Sequence, residues 1–201
     1  MQTKIKAVSP AGVEVDVKAS TGGSLYQMDT KRIWTAKGYG RQAMATSAVA
    51  CLVVRPSTTA IATLYNNTSD NFVIERVFAH NLVSIANGAF GIWLCVHPIG
   101  MAAPTNDITV RNRTNGQAAA TSGIFDNAAT VLDDGWFPWG ESQYNVTATV
   151  PGSLAQAMIN GEIIIPPTSA ISISCVGQTA VVTVCVGLHW YQVPTTEFVL
   201  V

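Results

Sequence analysis

Charge is the first thing this chain has little of. Of its 201 residues, 11% are Asp, Glu, Lys or Arg, against ~25% in an ordinary soluble protein. A lone monomer carries more charge than this to stay in solution, so a surface this neutral suits a protein partly covered by other subunits. Long apolar runs are missing too. Thr, Ser, Gly or Asn interrupts each of them well before the ~18 residues a membrane helix needs, so no membrane partner is expected. The first residues, MQTKIKAVSPAG, contain no apolar core of a signal peptide, which argues against classical secretion. Disorder is excluded for most of the chain, because 48% of the residues are hydrophobic.

Cysteine is sparse and wrongly spaced for metal or redox work. The four are Cys51, Cys95, Cys175 and Cys185, and none belongs to a CxxC pair. Each lies in an apolar run, where a reduced Cys behaves as a small buried hydrophobe. The catalytic motifs GxSxG, HExxH, GxGxxG and the Walker loop are also absent. The histidines are His80, His97 and His189. A cupin-type metal site wants a His-x-His pair and a following carboxylate, and neither is present. Cys95 and His97 share one strand face but read as packing residues. Asp133 and Asp134 could pair for acid–base work, yet Asp-Asp-Gly is ordinary turn chemistry. The expectation is a protein that is not an enzyme and has no cofactor and no metal.

Long helical periods are absent as well. Only Ser153–Met158 (SLAQAM), after Pro151, could form a helical turn or two. What fills the chain instead is short runs rich in Val, Ile, Thr and aromatics, divided by Asn, Gly, Pro and Ser. Strands are expected near 47–55, 58–66, 71–80, 89–97, 106–111, 143–150, 160–165, 169–176 and 180–191, with 112–129 as a long loop. The last strand is the most decisive. Val182, Val184, Val186, Leu188 and Trp190 fall on one face, and Val181, Thr183, Cys185, Gly187, His189 and Tyr191 on the other, which is the period of a strand with one face on a core. Many short strands without intervening helices predict an all-β fold, an antiparallel jelly-roll sandwich over residues 46–201.

The few charges are unevenly placed. Seven of the eleven bases lie within the first 41 residues: Lys4, Lys6, Lys18, Lys31, Arg32, Lys37 and Arg41. Only Glu14, Asp16 and Asp29 oppose them, so this end carries about +4 and the remainder about −5. Residues 3–8 and 12–18 alternate around the turn Ser9–Gly12, which predicts a β-hairpin inside an N-terminal arm over 1–45. Its bases are diluted by acids and interleaved with Trp34 and Tyr39. That mixture argues against nucleic acid, whose binding arms are denser in Lys and Arg, and for docking on an acidic protein surface. A second feature is the segment DDGWFPWG. Asp133, Asp134, Trp136, Phe137 and Trp139 concentrate carboxylates and aromatics in one Gly/Pro loop. Core at the end of the barrel, a subunit interface and a glycan contact are all open there.

The runs AIATLYNNT (60–68) and FVIERVF (72–78), with the closing strand from Val181 to Trp190, resemble the jelly-roll virion accessory proteins of tailed bacteriophages: capsid decoration (cement) proteins, head fibres and related knobs. The resemblance covers about 47–193. It implies a structural virion protein that forms a homotrimer, is assembled in the host cytoplasm, and fastens to the major capsid protein through its N-terminal segment. The docking residues would then be Lys4, Lys6, Lys18, Lys31, Arg32, Trp34, Lys37, Tyr39 and Arg41. A receptor- or glycan-binding knob of a phage fibre and a small jelly-roll coat protein are the alternatives.

Overall fold

A computed structural model describes residues 6–8, 14–16, 30–81, 88–105, 107–130, 135–145 and 154–197. The chain divides into two compact units, Met1–Ile33 and Trp34–Val201. In the first, β1 (Lys6–Val8) pairs antiparallel with β2 (Glu14–Asp16), in the register Lys6 to Asp16, Ala7 to Val15 and Val8 to Glu14. This is the hairpin that the alternation predicts. A short helix, α1 (Thr30–Ala36), straddles the division. None of its seven residues is buried, so no apolar stripe was needed and none shows in the sequence.

The second unit is a jelly-roll sandwich. In chain order its strands are β3 (Gly40–Met44), β4 (Val49–Ala50), β5 (Ala62–Tyr65), β6 (Asn71–His80), β7 (Gly88–His97), β8 (Arg111–Asn112), β9 (Ile124–Asn127), β10 (Phe137–Asn145), β11 (Leu154–Met158), β12 (Ile164–Ile165), β13 (Ala170–Gly177) and β14 (Thr183–Val193). One sheet runs β11-β6-β14-β3-β8, with β12 on β6 and β4 on β14. The other runs β10-β7-β13-β5-β9. The eight principal strands are β3, β5, β6, β7, β10, β11, β13 and β14. They are all paired antiparallel, in the order that two interlocked Greek keys produce. The connection between β7 and β10 adds one strand to each sheet, β8 beside β3 and β9 beside β5.

Alternation builds the core. Val184, Val186, Leu188 and Trp190 of β14 face Ile171, Ile173 and Cys175 of β13 and Phe90, Ile92 and Leu94 of β7, all buried in one cluster. Each large aliphatic or aromatic side chain so enclosed contributes roughly 1.5–3 kcal/mol over leaving it in water. In β6 the period breaks: His189 of β14 faces Arg76 while Trp190 faces Ile74, so Glu75 is an extra residue. The bulge lets Phe72 and Ile74 before it, and Val77 and Ala79 after it, all point inward.

Several expectations are corrected. The sandwich begins before residue 46, because Gly40–Met44 is paired to β14 from Tyr191 to Gly187. Residues 154–158 are a strand paired to β6, not a helical turn. LAQAM suits either period, and burial of Ala155 and Ala157 against the core decides it. The expected loop 112–129 contains β9. Of the expected strand 106–111, the structure has only a bridge at Ile108 and the first residue of β8. The strand expected over 47–55 is reduced to β4 and a bridge at Leu52. The one expected over 143–150 starts earlier, at Phe137, and its last five residues lie outside the described ones.

Gly187 carries a packing constraint. A Cβ there would lie 2.6 Å from Phe78 Cζ and 2.8 Å from the carbonyl oxygen of Ala43, a backbone atom that cannot step aside. Gly187→Ala is therefore expected to destabilise the fold by about 1–3 kcal/mol. Thermal unfolding by circular dichroism would show a midpoint lower by several degrees, and an unchanged midpoint would refute the contact.

Candidate functional site

The face of β14 opposite the core carries Cys185, Gly187 and His189. The register sets a row of neighbours beside each. Gly187 lies between Met44 of β3 and Phe78 of β6, and His189 lies between Gln42 and Arg76. Beyond β6, Phe78 faces Gln156, Arg76 faces Met158 and His80 faces Leu154 of the edge strand β11. Four strands thus present a grid of aromatic, cationic and thioether side chains on the outside of one sheet.

At its centre Arg76 is held by three groups. Its Nη1 donates to Gln156 Oε1 at 3.0 Å, and its Nη2 lies 3.2 Å from His189 Nδ1. Its guanidinium carbon stands 5.7 Å from the Phe78 ring centre, within cation–π range. The His189 ring meets Phe78 edge-on at 5.6 Å. Since Arg76 can only donate, Nδ1 is the acceptor and the imidazole is neutral. Burial first, then the charges of Arg113 and Arg76, bring the His189 pKa down to about 4. The absence of a side chain at Gly187 leaves the space that the Phe78 ring occupies.

A groove of about 390 Å³ opens beside this cluster. Met44, Phe78 and Ile108 supply its apolar wall, and Gln42, Arg111 and His189 its polar groups. A smaller hollow of about 180 Å³ shares Met44 and Phe78 and continues to Leu154 at the sheet edge. On the opposite sheet a wider cleft of about 510 Å³ lies between the 101–105 and 126–130 segments. There burial, then the neighbouring Asp107 charge, holds the Asp126 carboxyl above its ordinary range.

The outer face of that second sheet carries a polar chain. Thr63 Oγ1 and His97 Nε2 lie 2.7 and 2.8 Å from Ser172 Oγ, and Ser169 donates its hydroxyl to the His97 carbonyl. A Ser–His contact of this length is the geometry of an activated nucleophile. Here Thr63 and Ser172 have no exposed surface and His97 is 2% exposed. No substrate atom reaches Ser172 in this conformation, so the chain acts as an internal hydrogen-bonded network. Among the described residues no three His, Cys, Asp or Glu side chains are grouped to hold a metal ion.

The residues expected to dock are only partly in an arm. Lys4 and Lys18 lie outside the described residues, Lys6 is on β1, and Lys31 and Arg32 are on α1. The other four belong to the sandwich unit. Trp34 packs on Tyr191 at 5.5 Å, beside Val73 and Val193. Lys37 Nζ and Tyr39 Oη both donate to Glu197 Oε1, at 2.7 and 2.8 Å. These bonds raise the Lys37 pKa and lower that of Glu197. Arg41 Nε donates to Ser122 at 2.7 Å. Trp34, Lys37, Tyr39 and Arg41 are thus engaged within the fold.

The aromatic loop divides in a similar way. Asp133 and Asp134 lie outside the described residues. Trp136 is buried with Ala60 and Cys95, its Nε1 donating to the Ser57 carbonyl at 2.9 Å, so it offers no stacking platform. Trp139 packs against the main core. Phe137, 39% exposed, is the most open of the three. The grid around Arg76 was not anticipated as a site. Its one sequence signal was the mixed second face of the last strand.

Compared with models of known families, with curated proteins and with solved structures, the chain matches none. Among the described residues, no helix is long and apolar enough to cross a membrane.

His189 sets a pH dependence. It stays neutral in the folded protein down to about pH 4, whereas in the unfolded chain it takes a proton near its ordinary 6.5. The unfolded state binds more protons between these values, so this group's contribution to stability falls as pH drops from about 6.5 to about 4. His189→Gln is expected to lose less thermal stability than the parent between pH 7 and pH 4.5. An NMR titration should place the imidazole midpoint near 4. A midpoint at 6 or above would overturn the assignment.

Proposed function

We propose that this protein is a structural component of a virion, a capsid decoration or cement protein. Its jelly roll associates with further copies of itself, and its N-terminal unit docks on the major capsid protein. The observation that carries the reading is the amount of large apolar surface left exposed on a chain with so little charge. Val53, Val54 and Val181 are 55%, 66% and 62% exposed, at the end of the sandwich where residues 49–52 meet β14. Met158 is 51% exposed and Leu154 37%, both on the edge strand β11. Edge strands of free monomers are guarded by Lys, Pro or inward-turned charge, and LAQAM has none of these. Apolar patches of this kind are the usual mark of a surface that another subunit covers. Work of this kind is mechanical: surface buried between neighbours resists the rupture of a shell.

The docking element is narrower than charge alone implied. Lys37 and Arg41 serve the sandwich, so the unit Met1–Ile33 keeps five bases against three acids, a net +2. The experiment follows that boundary. Deleting residues 1–33 is expected to abolish binding to purified capsids, while light scattering still shows a folded oligomer. A truncated protein that decorates capsids as the full chain does would sink the docking role. A monomer for the intact protein would sink the self-association.

The groove beside Phe78 favours a second reading, a glycan-binding knob. It pairs an aromatic ring with Gln42 and Arg111, groups that hydrogen-bond sugar hydroxyls. A glycan array on which the parent binds and Phe78→Ala does not would select it.

A further inference from the structure

Residues 49–52 form a corner between the two sheets. Val49 and Ala50 pair with Val184 and Thr183 of β14, and the Cys51 N–H donates to the Val182 carbonyl at 2.8 Å. One residue later the chain has changed sheets. The Leu52 N–H donates to the Cys175 carbonyl at 2.9 Å, and the Gly177 N–H donates to the Leu52 carbonyl at 2.7 Å. These two bonds make Leu52 the parallel partner of Val176. Cys51 directly precedes the residue whose N–H holds the Cys175 carbonyl, which brings the two cysteines close together where the chain changes sheets.

The side chains share one part of the core. Cys51 is 2% exposed and Cys175 fully buried, both in the main core. The two thiols are within hydrogen-bonding reach of each other. A Cβ on Gly177 would come within 3.0 Å of Cys51 Cβ, so the glycine makes the space into which Cys51 fits. The strand register sets Cys95 opposite Ser172 and Cys185 opposite His80.

We propose that Cys51 and Cys175 are a disulfide-forming pair, which an oxidant of the disulfide class, such as oxidised glutathione, converts to a covalent staple between the corner and β13. A deprotonated thiol of the pair attacks the glutathione disulfide and expels one glutathione thiolate. The second protein thiol then attacks the mixed disulfide and expels the other. One S–S bond forms and one breaks, the protein loses two electrons and two protons, and two glutathione molecules carry them away. The hydrogen bond to Cys51, then burial, hold the Cys175 thiol well above its ordinary pKa. In the closed fold Cys175 is therefore protonated and both thiols are shielded, and reaction requires the corner to open. The rate should then level off as glutathione disulfide is increased, at the rate of that opening. The staple joins residues far apart in sequence, the arrangement in which a cross-link most restricts the unfolded chain. The inference holds whatever the protein docks on.

The full-length protein, incubated with oxidised glutathione and then denatured, is to be assayed for free thiols and mapped by peptide mass spectrometry. The expected result is a fall from the four thiols of the sequence to two, and one linked pair of peptides, containing Cys51 and Cys175. The melting midpoint should rise by about 5 °C or more over the reduced protein. Cys51→Ser, and Cys51→Ala should the serine disturb the corner, should form no linked pair of peptides under the same treatment, Cys175 staying free or stopping at the mixed disulfide with glutathione. Four thiols surviving prolonged oxidation, or a linkage through Cys95, Cys185 or a second molecule, would overturn the proposal.

Discussion

The sandwich depends on the placement of β14. This strand lies between β6 and β3 in its sheet and also carries β4. One face closes the core with Val184, Val186, Leu188 and Trp190, and the other supplies Gly187 and His189 to the outer grid. Side chains alternate with period two, so a slip of one residue would put the valines in water and His189 in the core. Three features hold the register. Trp190 fits against Phe72, with ring centres 5.9 Å apart. The bulge at Glu75 absorbs the phase change in β6. Phe78 lies in the space that only a glycine at 187 leaves. Since β14 is the last strand and β3 the first of the fold, the sheet closes only when segments about 145 residues apart meet, a topology associated with slow folding.

That dependence explains what could be read from the sequence. Residues 71–80 and the core face of 182–190 were legible because both are long runs rich in Val, Ile and aromatics, and the second keeps an unbroken period of two on its core face. Residues 154–158 were not, since Leu-Ala-Gln-Ala-Met satisfies both a helical turn and a strand. Only the β6 neighbours, unknown from local sequence, select the strand. Residues 40–44 read as arm because Gly-Arg-Gln-Ala-Met has no apolar alternation of its own, and its pairing with β14 is non-local. Strand β9 was missed inside an apparent loop for the same reason: Phe125 is its one large residue in the main core.

The outer grid was legible by half. Alternation placed His189 on the correct face, but nothing near it in sequence announces Arg76, Phe78 or Gln156. These come from strands 33 to 113 residues away, and β-sheet register alone brings them together. The DDGWFPWG segment shows the converse. Its density of aromatics left core, interface and glycan contact open, and Trp136 and Trp139 take the first of these. Clustered aromatics mark burial as readily as recognition, and local composition does not distinguish the two.

The distribution of charge follows from the same logic. The bases that first seemed to form one arm divide between two tasks. Lys37 and Arg41 secure the entry into β3, through Glu197 near the end of the chain and Ser122 in the β7–β10 connection. The remaining net charge on Met1–Ile33 is too small for long-range attraction at physiological ionic strength, where exposed charges are screened over roughly 8 Å. Electrostatics in such a unit orients a contact more than it drives one. In the assembly proposed above, the driving force would come from apolar surface, such as the exposed valines near the 49–52 corner and the edge strand β11. On that proposal, a protein that joins others by burying neutral surface, with a few charges to set orientation, would have no use for the dense surface charge of a free monomer, and the scarcity of charge in this sequence would follow.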